Sequence, residues 1–473
     1  MNCSFSRRHP ITRAVRLNNR PQLERGRQRD LSLGHERIGD ALLAAKDFAG
    51  AAQAYRESLI IAENLAKASP TDADVQRDLS IAYDKLGKAL MDGGQLQEAL
   101  QTFRASLSLR EKLAADNPVS VMPQVGLAVS YERIGDTLMK MQEHAAALEA
   151  YQKQLAVFQR LTTTNPDQPK LQNDLSAAYQ QIGQTMLALD RLDEALTAHQ
   201  TALALREKQL LAAPENAGRM RNVWLSRLSV GHVLDLLQRQ PEAMELYRQS
   251  LPLAEKLNAS TGAWWTLTMT GEYIGNTAAA LGLEEESLSA HRRSIAALRR
   301  QVELEPQNAD LRNKLHKNLS NMGRALLAFG KPENAASFYQ EALMLAPTDI
   351  YSVLWLHLAR HRAGQDDRAE LVANAEKLDQ SQWPWPVVAY YLGTLDPAQL
   401  GTAAAAPESP QARKEQTCEA NFYLGAAPAK GATVEAQRRL RAAVAECPKG
   451  FIEYSAAKLE LKRLDALATA TKQ

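Results

Sequence analysis

The sequence predicts an all-α solenoid of antiparallel helix pairs, because one helical hairpin pattern recurs through most of the chain. In its clearest copy, between residues 78 and 103, four residues occupy positions i, i+3, i+4 and i+7 of one helix face: Tyr83, Leu86, Gly87 and Leu90. A turn at Asp92–Gly94 follows. Ala99 and Phe103 then lie one helical turn apart, which predicts a second helix facing the first.

The first helix of each predicted pair carries an interior glycine. Such a glycine costs about 1 kcal/mol relative to alanine, so its recurrence indicates that the neighbouring helix approaches closely over the missing Cβ. Successive glycines differ by 48 in residue number, and once by 44: Gly39, Gly87, Gly135, Gly183, Gly231, Gly275 and Gly323. A small residue follows each by twelve positions: Ala51, Ala99, Ala147, Ala195, Ala243, Ser287 and Ala335. An aromatic residue or histidine follows each by sixteen: Tyr55, Phe103, Tyr151, His199, Tyr247, His291 and Tyr339. Seven such units in one chain predict a repeat array.

The order of an apolar–Gly pair, then Ala, an aromatic residue and Pro resembles the tetratricopeptide-repeat family over roughly residues 30 to 450. The resemblance implies a right-handed superhelix whose first helices line a concave groove. The usual repeat of that family has about 34 residues. The 48-residue units here are similar to a bacterial long-repeat type. We expect each helix of a long unit to carry seven extra residues, about 20 in all, because seven residues are nearly two turns and keep the packing face in phase.

The predicted organisation has five segments. Residues 1–29 form a basic segment predicted to be disordered, 30–383 an array of about eight hairpins, 384–414 a Pro/Ala-rich connector with short helices, 415–464 a ninth hairpin and capping helix, and 465–473 a tail. The basic segment holds eight arginines and one acid, Glu24. Two other interpretations of this start stay open, a transit peptide and the stump of a missing repeat, since Arg29–Ser32 repeats Arg77–Ser80.

The composition and charge of the chain narrow the range of functions and locations that it can have. The net charge is +2, which indicates neither a nucleic-acid binder nor an acidic chaperone. No apolar run approaches the length of roughly 18 residues that a membrane span needs, so no transmembrane segment is expected. The start of the chain lacks the apolar core of a secretory signal, which favours a cytoplasmic location. A periplasmic location is the alternative if the natural protein begins further upstream with an export signal.

The ninth hairpin contains Cys418 and Cys447, two of three cysteines in the chain. Cys418 lies near the start of the first helix and Cys447 at the end of the second, and these ends are neighbours in an antiparallel pair. We expect their Cα atoms within about 8 Å, close to the ~4.4–6.8 Å that a disulfide needs. Either a disulfide or two small residues filling a helix seam satisfies this spacing.

No catalytic, cofactor or metal site emerges from the residues. His357 and His361 have the i, i+4 spacing of a zinc helix, but Leu358 stands where the general base belongs and arginines flank both. His199 and His291 occupy the aromatic position of their units and are interpreted as packing residues. We therefore predict that the chain is not an enzyme and needs no cofactor.

The candidate site is the concave face of the first helices, at offsets −3, −2, +1 and +4 from each glycine. This face has charged ends and an uncharged middle with amide and aromatic side chains, which suits an extended or helical peptide. The predicted contact residues lie in units four to seven: Gln180, Gln181, Gln184, His232, Tyr273, Asn276, Asn321 and Arg324. Glu36 and Asp40 stand where a chaperone-binding carboxylate clamp would begin, so binding of a chaperone tail is not expected.

Three hypotheses for function follow. The first is a non-catalytic scaffold or adaptor that binds a peptide or partner protein in the groove. The second is a regulatory or sensory arm of a bacterial signalling or secretion assembly, whose effector lies on another chain or on a missing N-terminal part. The third is a nucleic-acid binder that uses the basic start, which predicts a steep loss of binding with salt and is the least favoured.

Overall fold

The computed structural model describes residues 20–427 and 433–470, with the side chains of 24–427 and 434–465. Every regular element within these ranges is helical, so the all-α prediction is confirmed there. Residues 1–19, for which disorder was predicted, lie outside the described ranges. Residues 20–29, by contrast, belong to the first helix, where Arg29 forms an ion pair with Asp78, so the prediction of disorder is wrong for this part of the segment.

The chain divides into two compact units, and the division in the sequence falls between Gln209 and Leu210. The N-terminal unit contains α1 (Arg20–Ala44), α2 (Phe48–Ala68), α3 (Ala73–Asp92), α4 (Leu96–Asp116), α5 (Val121–Lys140), α6 (His144–Thr164), α7 (Pro169–Ala188) and most of α8 (Leu192–Ala212). The C-terminal unit contains α9 (Ala217–Leu236), α10 (Gln240–Thr261), α11 (Trp264–Leu281), α12 (Glu284–Leu304), α13 (Ala309–Ala328), α14 (Pro332–Leu345), α15 (Ile350–Arg362), α16 (Arg368–Ala375), α17 (Trp385–Tyr391), α18 (Pro397–Ala405), α19 (Pro410–Ala426), α20 (Thr433–Glu446) and α21 (Ile452–Ala470). Odd-numbered helices from α1 to α15 are the first helices of their pairs.

Helix lengths confirm that the extra residues extend both helices. Within the long units, α3 has 20 residues, α4 has 21 and the intervening turn has three. In the seventh unit, where the proline comes seven residues earlier, α13 keeps 20 residues and α14 has 14. The short form of the repeat is thus restored in the second helix of that unit.

Each of the seven repeat glycines lies beneath the aromatic residue or histidine sixteen positions later. A Cβ added at Gly87 would stand 2.6 Å from Cε1 of Phe103, closer than real Cβ atoms approach. Phe103 and the small residue Ala99 are both fully buried. The same contact joins the other six glycines to their partners, and His199 and His291 take the ring position in two of them. The ring therefore needs the missing Cβ in every unit.

The turn between the helices of each pair requires a left-handed residue seven positions after the glycine. Gly94, Gly282 and Gly330 supply it with φ of 81°, 77° and 70°. Four units use other residues at the same position with φ between 57° and 63°: Lys46, Gln142, Asp190 and Gln238. This conformation costs a non-glycine residue roughly 1 kcal/mol, so the fold imposes it there against local preference.

The C-terminal unit ends in the ninth hairpin, α19 and α20, followed by α21. Helix α18, in the predicted connector, begins with a capping box in which Asp396 accepts from the backbone of Gln399 and the Gln399 side chain accepts in return. Trp355, Phe422 and Tyr423 are buried together and join the eighth unit to the ninth. The hairpin is therefore part of the same hydrophobic core as the preceding repeats.

Candidate functional site

Polar side chains link neighbouring first helices along the candidate groove. In the N-terminal unit, Lys85 Nζ lies 3.1 Å from Glu36 Oε2, and Gln181 Nε2 donates to Glu132 Oε1 at 3.2 Å. In the C-terminal unit, Asn321 Nδ2 donates to Glu272 Oε1 at 2.8 Å. Each pair joins offset −3 of one repeat to offset −2 of the next. These paired side chains form the floor of the groove. Their contacts fix neighbouring first helices relative to one another within each compact unit.

Three of the tyrosines over the glycines, Tyr55, Tyr151 and Tyr247, reach groove carboxylates with their hydroxyl groups. Tyr151 donates to Asp136 Oδ1 at 2.7 Å, and Tyr247 donates to Asp235 Oδ2 at 2.8 Å. Thr277 also donates to Asp235 Oδ2, at 2.9 Å. Burial raises the pKa of Asp235 to about 6, although both hydrogen bonds oppose the rise. The packing core and the groove face are therefore connected through one hydroxyl in these repeats.

Of the three glutamines predicted to contact a partner, only Gln184 is exposed. Gln181 is half-buried and engaged with Glu132. Gln180 is 6% exposed and accepts from Arg206 Nη1 at 3.4 Å, so its assignment to the open face is wrong. The offset −3 points between the two helices of this repeat rather than into the groove.

Buried arginines on the second helices explain this correction. Arg206, 23 positions after Gly183, donates from Nε to Ser176 at 3.3 Å. Arg110, 23 positions after Gly87, forms the matching bond to Ser80 at 3.3 Å and an ion pair with Asp84. The sequence pattern that could have revealed this network is an Arg 23 positions after the repeat glycine, a Ser seven positions before it and a hydrogen-bond acceptor three positions before it.

In the C-terminal unit, an aromatic cluster lies on the candidate face. Tyr273 stacks on Tyr247 with centroids 5.0 Å apart, and His232 meets Tyr273 edge-on at 6.1 Å. Both predicted residues are half-buried, and burial lowers the pKa of His232, which keeps its ring neutral near pH 7. Asn276, one turn along α11, is exposed. These three residues form a mixed aromatic and amide surface.

The last two predicted contact residues differ in access. Asn321 is 6% exposed and is held between Glu272 and Arg324, so its assignment as a direct contact is wrong. Arg324 is half-buried and lines a cavity of about 350 Å³. Asn276, Arg362 and Glu460 also line it. The cavity thus places Asn276, Asn321 and Arg324 opposite α21, which the sequence predicted only as an end cap.

A second polar cluster lies where the ninth hairpin meets α21. Trp383 Nε1 donates to Glu419 Oε2 at 2.9 Å, and Tyr351 Oη donates to the same oxygen at 3.1 Å. Glu419 is 6% exposed, and burial together with the nearby Glu453 raises its pKa to about 7. Glu453 itself is buried, and it accepts from Tyr423 Oη at 3.4 Å. Of these two buried carboxyl groups, Glu453 links α21 to the ninth hairpin, and Glu419 links the hairpin to Tyr351 and Trp383.

The structure joins Cys418 and Cys447 in a disulfide with Cα atoms 4.9 Å apart. This separation lies within the expected limit of about 8 Å and within the range that a disulfide needs. Both residues are buried in the core of the C-terminal unit.

The histidine pair of α15 is engaged with the protein. His357 Nδ1 lies 2.8 Å from Asp367 Oδ2, and its ring is 6.2 Å from that of His361. Throughout the described residues, no group of three His, Cys, Asp or Glu side chains is placed to hold a metal ion. The described helices also include none long and apolar enough to cross a membrane.

Comparison with known protein families identifies repeats in this chain. Three tetratricopeptide-repeat models match the chain, at residues 81–113, 126–208 and 319–351. The matches fall in both compact units.

Solved structures extend the likeness over more of the chain. The apo form of RapI is 10% identical with a TM-score of 0.55, and the match covers 92% of this chain and 99% of that one. BtubC (BKLC) from P. vanneervenii is 18% identical over 53% of this chain and 91% of its own, with a TM-score of 0.43. A signal-transduction ATPase with a tetratricopeptide-repeat sensor from Pyrococcus horikoshii is 13% identical over 78% of this chain and 54% of its own, with a TM-score of 0.49. At these identities the likeness to RapI concerns the fold alone.

Proposed function

This chain belongs to the tetratricopeptide-repeat family, and from that premise we propose that it is a non-catalytic scaffold that binds a peptide or partner protein in the groove of its first helices. Repeats of this kind serve protein interaction. The finer assignment is to an extended or helical peptide on the candidate face of either unit, which presents Gln184 in the N-terminal unit and His232, Tyr273 and Asn276 in the C-terminal unit. The chemistry of that face supports it.

One observation carries the proposal: exposed amide side chains lie beside residues of the groove floor that are already hydrogen-bonded within the protein. Gln184 and Asn276 are exposed, whereas the floor residues Gln181 and Asn321 are held by Glu132 and Glu272. An amide side chain both donates and accepts, so it can pair with a peptide backbone. A fixed floor also reduces the ordering cost of binding.

The half-buried aromatic residues add apolar contact area at a small entropic cost. Tyr273 is held in place by its stacking on Tyr247, and the neutral ring of His232 lies against it. Rigid aromatic side chains are enriched among residues that dominate binding energy. A peptide that lies on this face of the C-terminal unit would therefore meet aromatic rings and an amide together.

The second hypothesis, a regulatory or sensory arm of a bacterial signalling or secretion assembly, uses the same groove. It differs in requiring an effector on another chain or on a part of the protein that precedes this sequence. Conserved genomic neighbours that encode such an effector would favour it over an independent adaptor.

The experiment is a selection of peptides from a random displayed library on the full chain, followed by affinity measurements on variants. Gln184→Glu and Asn276→Glu place carboxylates on the candidate face, and Gln200→Glu is the matched control on the second helix of the same pair as Gln184, where Gln200 is exposed. We expect binding of a selected peptide to weaken about tenfold for the groove variant of the unit that it occupies, which corresponds to ~1.4 kcal/mol. The control should bind as the unmodified chain does.

The melting temperature should change little in all three variants, since surface substitutions usually stay within ~0.5 kcal/mol. Tyr273 is less suitable for this test because its ring is stacked and half-buried. If selected peptides bind the groove variants and the control equally well, the assigned face is incorrect.

A further inference from the structure

The groove of the C-terminal unit holds a segment of its own chain. Lys458 of α21 donates from Nζ to Gln238 Oε1 at 2.6 Å, across 220 residues of sequence. At the start of this segment, a Cβ built on Gly450 would lie 3.6 Å from Leu236 Cδ2. Helix α21 therefore reaches past the ninth hairpin to the end of α9, the first helix of the fifth repeat.

The contacts of α21 go beyond those of an end cap. A capping helix covers the exposed face of the terminal repeat and thereby keeps a solenoid from exposing its core. Helix α21 does pack on α19 and α20, but it also contacts α13 and faces the residues of α11 that line the cavity. Across the cavity, α21 faces Asn276 and Arg324 of the candidate binding face, and its contact with Gln238 lies in the turn at the end of α9.

One buried charge holds the middle of α21. Glu460 is 4% exposed, and its Oε2 lies 2.8 Å from Arg362 Nη2 on α15. Arg463 pairs with the same carboxylate at 2.6 Å. Leaving one member of such a buried pair without its partner is strongly unfavourable. The position of α21 consequently depends on a carboxylate that meets Arg362.

The remaining interface is incompletely filled. Phe451, Ile452 and Leu459 line the cavity of about 350 Å³ on the α21 side, and Asn276 and Arg324 line it on the groove side. Folded interiors contain few voids larger than a water molecule. The volume is within the range of ligand sites, so α21 lies over the groove without filling it.

We propose that α21 is an intramolecular competitor for the groove of the C-terminal unit, and that the partner displacing it is an amphipathic helix presenting an apolar face and a carboxylate to Arg362. This inference rests on the proposed function, because it names the partner class and the control of the same groove. The seated segment itself indicates the chemistry: an apolar start at Phe451 and Ile452, followed two turns later by Leu459 and Glu460.

The test uses full-length chains and a fluorescent synthetic peptide of residues 449–470 as the probe. Glu460→Arg places a third positive charge beside Arg362 and Arg463 and should release α21. Glu460→Gln is a milder variant in case the first does not fold. The double variant Arg362→Glu with Glu460→Arg is the matched control, because it restores an opposite pair with the charges exchanged.

Hydrogen exchange over residues 452–465 and fluorescence anisotropy of the probe are measured on each chain. We expect exchange in Glu460→Arg to rise on the order of 100-fold, since a buried ion pair has lost one member. The probe should bind this variant at least about tenfold more tightly than the unmodified chain. The double variant should stay protected, and a probe with arginine at the position of Glu460 should not bind Glu460→Arg.

Unchanged protection of 452–465 in both single variants would make α21 a permanent cap and overturn the inference. Release of α21 without binding of the probe would overturn it as well, because the groove would then not accept the helix. Neither outcome affects the proposed function, which depends on the sensitivity of selected peptides to Gln184→Glu and Asn276→Glu.

Discussion

At the residue scale, the contact between each glycine and its ring determines how closely the two helices of a pair approach. The glycine lowers the helix propensity of the first helix, but its missing Cβ lets the ring of the second helix pack directly on the backbone of the first. In three of the repeats with tyrosine, the same approach lets the hydroxyl group reach a groove carboxylate, as Tyr151 does with Asp136. One missing Cβ thus affects both core packing and the polar pattern of the groove.

We predict opposite effects of alanine at two helical glycines. Gly87→Ala forces a Cβ within 2.6 Å of Phe103 Cε1. Such overpacking typically costs about 1–3 kcal/mol, more than the ~1 kcal/mol gained in helix propensity. Gly34 has no atom within 4 Å of its added Cβ, so Gly34→Ala should stabilise α1. Thermal melts followed by circular dichroism compare the two. A rise in melting temperature for Gly87→Ala would contradict the packing account.

We predict that Glu419 makes the C-terminal unit less stable as pH rises. Its folded pKa is about 7 against an ordinary value of 4.5. The folded state therefore keeps a proton that the unfolded state has released, so stability is greatest below pH 4.5, falls up to pH 7 and is level above it. Glu419→Gln removes this dependence while retaining an acceptor for Trp383. The variant should exceed the unmodified chain by on the order of 3 kcal/mol at pH 8.

The measurement is urea unfolding at pH 4.5, 6 and 8, followed by tryptophan fluorescence, for the variant and the unmodified chain. The difference in free energy between them reports Glu419 together with its interaction with Glu453, because the other titrating groups are present in both chains. A difference that stays constant with pH would show that the carboxyl group ionises normally in the folded protein.

At the element scale, the seven-residue extension leaves the repeat geometry intact. Seven residues add ~10 Å of helix and rotate the contact face by only ~20°. The apolar face of α3 accordingly stays buried from Leu79 through Leu86 to Leu90 and Met91. Longer helices bury more surface per pair while the turn between them stays short.

The ninth hairpin carries its own covalent constraint, and we predict that its cysteines do not react with thiol reagents before reduction. The chain has three cysteines, so denatured, unreduced protein should take up one label, on Cys3, and reduced protein three. Reduction should destabilise this hairpin by about 3–4 kcal/mol in the chain-entropy model, because the bridged cysteines are 29 positions apart. Three labels without reductant would establish free thiols and agree with a reducing compartment.

At the scale of the whole molecule, charge is distributed unevenly along the sequence. Residues 1–29 sum to +7 and residues 30–473 to −5, which together give the net charge of +2. Within the described residues, many acidic and basic side chains pair between neighbouring repeats, as Arg248 does with Glu286 and Arg299 with Glu341. These exposed pairs contribute little stability each and mainly keep the outer surface polar.

The array, its helix lengths and the glycine–ring contacts could be predicted from sequence because they depend on local periodicity. A helix has about 3.6 residues per turn, so the recurrence of Leu86, Gly87 and Leu90 determines which face packs. The proximity of Cys418 and Cys447 follows equally from an antiparallel pair, although Cys418 lies in the middle of α19 and not at its start, because α19 begins eight residues earlier, at Pro410.

Only the tertiary structure decided which residues of the first helices remain open. Gln180 and Asn321 carry the same amide groups as Gln184 and Asn276, yet they are buried by partners on other helices, Arg206 and Glu272. The left-handed turns at the helix ends depend on the closure of a whole helix pair. The position of α21 on the groove depends on contacts that are distant in sequence. Local periodicity specifies the face a helix buries, but not what a segment 220 residues away will cover.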